Sequence, residues 1–111
     1  MNWRVSFYSA RLQKEMLELP AGLVARFLRY AERMEVYGPD LGMPHTRAMG
    51  SGLFELRLKA VEGSARVFYC TRVGRRIVVL HQFMKKSEKT PRKELDIARQ
   101  RMREVKDAEQ S

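Results

Sequence analysis

Four cations in this sequence have the types and spacing to hold a phosphate. Arg57 projects from the polar side of the alternating run LFELRLK (53–59), and Arg66 lies inside the apolar run ARVFYCTR (65–72). Lys85 closes the apolar run RIVVLHQFMK, and Lys86 follows it. An arginine inside an apolar strand either snorkels to an edge or is held against a bound anion. If the three runs are neighbouring strands, these cations converge on one concave surface, and phosphate is a reasonable occupant. The competing account is that Arg57 pairs with Glu55 or with another acid across the strands. His81 lies two residues before Phe83 and four before Lys85, on one face at a period of two. Its imidazole either moves a proton near neutral pH or is a strand histidine bonded to a backbone carbonyl. Phe83 offers a stacking face for a base or belongs to the core, and Tyr69 is open in the same way.

Other chemistries find little support. Two histidines and one cysteine, far apart, give no metal-ligand spacing. No phosphate-cradling glycine loop is present. Gly50 and Gly52 give only a lone Gly-Ser-Gly, and no nucleophilic triad can be assembled.

The elements that must position these residues follow from periodicity. WRVSFY (3–8) alternates as a short strand with Trp3, Val5 and Phe7 on one side. A helical turn or two covers 11–18. Pro20 then opens a longer helix whose apolar stripe is Leu23, Val24, Phe27, Leu28, Ala31 and Met34. Arg26, Arg29 and Arg33 read as a solvated face paired with Glu32 and Glu35. Residues 37–52, with four glycines and two prolines, read as a loop after Gly38, and His45 within it reads as exposed. Three strands follow, with turns at Glu62–Gly63 and around Gly74. Such short connections predict an antiparallel meander. Thr90 is placed to cap a last helix, with Leu95, Ala98, Met102 and Val105 as its stripe. The fold class is α+β, one domain over 1–111, with helices on one face of the sheet and Glu55, Arg57 and Lys59 on the other.

The net charge is +9 over 111 residues. Residues 47–93 hold twelve Lys and Arg against Glu55, Glu62 and Glu88, which already gives +9. A surface so basic suits a polyanion, nucleic acid above all, or an acidic protein. No apolar run is long enough to cross a bilayer, and MNWRVSFYSARL lacks a signal-peptide core. A lone Cys70 in an apolar run points to a reducing compartment, so the expected location is cytoplasmic.

The order of these motifs resembles the RelE/ParE superfamily of bacterial toxins, and within it the HigB-type, phage-derived branch. Leu53-Phe54-Glu55-Leu56-Arg57 is similar to that branch's first strand motif. Arg66-Val67-Phe68-Tyr69 is similar to the second, although Ala65 stands where an aromatic is usual. Phe83-Met84-Lys85-Lys86-Ser87-Glu88-Lys89-Thr90-Pro91 is similar to the third over almost its whole length. The resemblance spans roughly residues 3 to 106. It implies a RelE-like fold, and an mRNA interferase that cuts message on the ribosome without a metal or other cofactor. It also implies silencing by a cognate helix-turn-helix antitoxin of HigA type. The reaction would be attack of a ribose 2′-hydroxyl on the adjacent phosphate. The resemblance assigns Arg57 and Arg66 to that phosphate, with Lys85 and Lys86 beside them and His81 as base or acid. Glu55 becomes either a base or the residue that orients Arg57. Lys59, Tyr69, Arg75, Arg76, Phe83 and Lys89, with Glu55, are assigned to RNA contact. The rival readings are a ParE-type gyrase poison on the same fold, a non-catalytic RNA- or ribosome-binding protein, and a basic phage accessory protein.

Overall fold

The computed structural model of the chain describes residues 2–110. Its elements are β1 (Arg4–Phe7), α1 (Ala10–Leu17), α2 (Ala21–Tyr37), β2 (Thr46–Gly50), β3 (Leu53–Ala60), β4 (Gly63–Arg72), β5 (Arg76–Lys85) and α3 (Arg92–Gln110). The class is α+β, as the patterning predicts. The strands form one sheet in the order β1-β5-β4-β3-β2. The expected meander is β3-β4-β5, antiparallel throughout.

Three features differ from expectation. The sheet is mixed, because α1 and α2 carry the chain from β1 back to the far edge, and β1 pairs parallel to β5, Arg4 opposite Arg76 through Phe7 opposite Val79. Part of the glycine-rich 37–52 segment is a strand. Thr46 to Gly50 pair with β3 from Leu56 back to Leu53, and the approach is fixed by Asp40, which accepts from the Gly42 N–H and the Thr46 hydroxyl. Helices also cover both faces. On one, Leu12, Met16, Leu23, Phe27, Tyr30 and Met34 of α1 and α2 pack on Leu56, Leu58, Val67, Tyr69, Ile77 and Val79. On the other, Ala98 and Met102 of α3, with Leu95 and Val105 beside them, pack on Leu53, Phe68, Cys70, Val78 and Leu80.

Local signals explain the helix ends. Ser9 caps α1 by accepting from the Leu12 N–H. Gly38, at φ 95°, closes α2 in the left-handed region. The α2 stripe is rotated slightly from the expected one. Tyr30 is buried, whereas Leu28, one step of about 100° beyond Phe27, is 48% exposed. Thr90 does not spend its hydroxyl on α3. It donates to Glu55 Oε2 at 2.9 Å, while the Pro91 carbonyl accepts from the Glu94 and Leu95 N–H groups. No helix among the described residues is long and apolar enough to cross a membrane.

A bulge in β5 decides what the site contains. Phe68 pairs with His81 and Tyr69 with Val79, which leaves Leu80 as the extra residue. Before it, Ile77 and Val79 face α1 and α2. After it, the odd positions change sides, so His81, Phe83 and Lys85 point to the α3 face.

Candidate functional site

The α3 face of the sheet changes character in rungs. Next to α3, Leu53 and Cys70 pair with Val78 beyond them. The next rung is Glu55, Phe68 and His81. It is followed by Arg57, Arg66 and Phe83, then by Lys59, Ser64 and Lys85. Helix α3 covers the apolar end, so the cationic rungs are left open. They border a cleft of about 790 Å³ lined by Arg57, Lys59, Arg66, Lys85 and Lys86, among others.

Glu55 organises these cations. It is 1% exposed, yet its Oε1 lies 3.6 Å from Arg57 Nε and 3.8 Å from Arg66 Nε. Both accounts of Arg57 offered by the sequence therefore hold together: it pairs with Glu55 and it lines the cleft. Neither Nε has a hydrogen-bond partner. The carboxylate holds the two guanidiniums by charge on their buried Nε sides, so it is their terminal Nη groups that can reach a phosphate in the cleft. Arg66 is held below the ordinary arginine range, mainly by burial. Lys85 is likewise lowered, by burial first and then by the positive charge of Arg66. Glu55 and the rim Glu88 do not neutralise the cleft-wall cations Arg57, Lys59, Arg66, Lys85 and Lys86, so an anion entering the cleft relieves their repulsion.

Not every candidate converges here. Glu55 is too buried to touch RNA and acts on its arginines instead. His81 bonds Glu94 Oε2 through Nε2 at 2.7 Å, under the first turn of α3, and does not line the cleft. Phe83 stacks against Phe68 and His81 and packs on the α3 core. Tyr69 is buried on the opposite face with its hydroxyl donated to the Pro39 carbonyl, because the alternation that turns Arg66 toward the cleft turns Tyr69 toward α1 and α2. Arg75 and Arg76 sit at the other end of the strands, nine or ten residues and about 30 Å from Lys85. There Arg75 lies over the Trp3 ring and Arg76 pairs with Glu109. Lys89 is exposed on the loop after β5 but is not part of the cleft wall.

Other wall residues were not singled out by pattern. Arg26, Tyr30, Pro44 and His45 form the flank opposite Lys85, and Ser64, Ser87 and Glu88 complete the rim. His45 is half-buried rather than loose, with Nδ1 3.1 Å from the Tyr30 hydroxyl and its carbonyl accepting from the Arg57 N–H. Only the fold brings these residues to β3. Among the described residues, no three His, Cys, Asp or Glu side chains gather as a metal site.

Residues 14–103 match the family described as phage-derived protein Gp49-like (DUF891). The chain belongs to this family of Gp49-like phage-derived proteins. No protein among those with curated functions matches it. Two solved structures share the fold. The archaeal RelE of a RelE–RelB complex from Pyrococcus horikoshii OT3 superposes with a TM-score of 0.51 at 21% identity, covering 76% of this chain and 96% of that one. A doubly arginine-substituted E. coli toxin RelE in the free state gives 0.55 at 14% identity, covering 91% and 98%. The chain therefore shares the RelE-like fold.

Proposed function

We propose that this chain is the toxin of a toxin–antitoxin pair and that it cleaves messenger RNA on the ribosome. The observation that carries the proposal is the cationic rung pair, Arg57–Arg66 and Lys59–Lys85, which lines one cleft and is organised by the buried Glu55. In the proposed reaction a ribose 2′-oxygen attacks the adjacent phosphorus and the P–O5′ bond breaks. The products are a 2′,3′-cyclic phosphate and a 5′-hydroxyl. The proton leaves the 2′-oxygen and one is delivered to the 5′-oxygen. Arg57 and Arg66 hold the phosphate and stabilise the charge that develops on its oxygens, and Lys85 and Lys86 supply further positive potential. Proton transfer falls to groups lining the cleft or to the ribosome rather than to His81, which lies outside the cleft lining.

The antitoxin is a helix-turn-helix protein of HigA type in this reading, seated on α2 or α3 rather than across the cations. Lys85→Glu and Lys86→Glu should then leave antitoxin affinity within a few-fold of wild type. A collapse of that affinity would move the antitoxin onto the cleft. The placement of His81 outside the cleft lining and the burial of Glu55 favour one alternative, a ribosome-bound protein that grips RNA without cutting it. Purified protein should be incubated with programmed ribosomes, with and without a chelator, and the message ends mapped. Cyclic-phosphate and 5′-hydroxyl ends are expected. Bound but intact message would select the non-catalytic alternative, and neither binding nor cutting would refute both.

A further inference from the structure

The cleft is larger than one phosphate requires. Its volume falls in the upper part of the roughly 300–1,000 Å³ range that encloses ligands of several tens of atoms. It also has two walls. Arg57, Arg66, Lys85 and Lys86 make one, and Arg26, Tyr30, Pro44 and His45 make the other. They meet at an open stretch of β3, because β2 stops short. The last bond of that edge runs from the Arg57 N–H to the His45 carbonyl at 2.9 Å. By the alternation of the strand, the backbone N–H and C=O of Lys59 point to the same edge, past the end of β2.

The second wall is equipped for an anion. Arg26 is exposed on α2, and no hydrogen bond or ion pair ties it to the described chain. Glu62, on the adjoining β3–β4 turn, accepts from the Gly22 N–H one turn earlier in α2, which commits that carboxylate to the helix start. The His45 ring is fixed through Nδ1 by Tyr30, itself 7% exposed, which leaves Nε2 for a ligand. We propose that this wall is a second subsite. Arg26 binds the phosphate of the nucleotide next to the one held by Arg57 and Arg66, with the Lys59 N–H and His45 beside it. The RNA then passes around the open end of β3. This inference rests on the RNA reading above and adds an orientation for the strand.

The test measures affinity for 2′-O-methyl oligoribonucleotides carrying one, two or three phosphates, which cannot be cut because the attacking hydroxyl is blocked. Wild type should gain affinity at the second phosphate. Arg26→Ala should lose about tenfold of that gain, the worth of one charge-assisted hydrogen bond. Arg26→Lys should recover most of it, and Arg29→Ala, on the same helix outside the cleft, should change nothing. Wild-type affinity that climbs with phosphate number equally in Arg26→Ala would overturn the subsite and leave the RNA reading standing. No binding of any oligomer at low salt would overturn both.

Discussion

Glu55 shows how one buried charge can serve a site it does not enter. It accepts from Thr90 and faces two guanidiniums, so removing it leaves two partly buried cations without their counter-charge. Glu55→Ala should destabilise the protein by about 3 kcal/mol, the scale of breaking a buried ion pair, measured by urea denaturation. A change under about 1 kcal/mol would show that the arginines find solvent or other partners instead. Lys85 behaves oppositely. Its pKa in the fold is below that of the unfolded chain, so between the two values the unfolded state holds more protons and the stability contributed by this group rises with pH. At neutral pH its charge therefore opposes folding. Lys85→Met should make the protein more stable at pH 7 and flatten the alkaline rise in stability, while slowing RNA cleavage by about 10²–10³-fold. A variant less stable at pH 7 would contradict that sign. Cys70, whose thiol is raised chiefly by burial, should resist alkylation until the protein unfolds.

At the scale of elements, what could be read from sequence follows strand alternation. The alternation of LFELRLK sets Glu55, Arg57 and Lys59 on one side of β3, and the period of two groups His81, Phe83 and Lys85, without knowledge of the fold. Two features broke the pattern. The Leu80 bulge changes which side β5 presents, and nothing in the continuous apolar run marks where it lies. The strand Thr46–Gly50 carries the glycine of a loop and is recruited by pairing with β3, an instance of tertiary context overriding local propensity. His45 and Arg26 were unreadable for the same reason, since they meet the cations only through β2 and α2. Thr90 links these elements, because it ties the start of α3 to Glu55. Thr90→Val should cost about 1 kcal/mol, the net worth of one hydrogen bond, and should also slow cleavage by loosening the carboxylate that sets Arg57 and Arg66. Lost stability with unchanged cleavage would confine Thr90 to a structural role.

For the whole molecule, the charge excess that is one block in sequence becomes two clusters at opposite ends of the sheet. Arg72 and Arg76 are engaged by Glu109, whereas the cleft cations have only Glu55 and the rim Glu88. RNA affinity should therefore reflect a few phosphate contacts, not nine charges. If three cleft cations engage a single strand, log affinity should fall against log salt with a slope of about −2. A slope several times steeper would mean that the distant arginines also bind. The most direct test of the central claim is single-turnover cleavage of message on programmed ribosomes by Lys85→Ala and Arg66→Ala, each checked for folding by circular dichroism. The cationic cleft predicts that each folded variant cuts about 10²–10³ times more slowly than wild type, the cost of removing one preorganised charge donor. Folded variants that cut at the wild-type rate would contradict it.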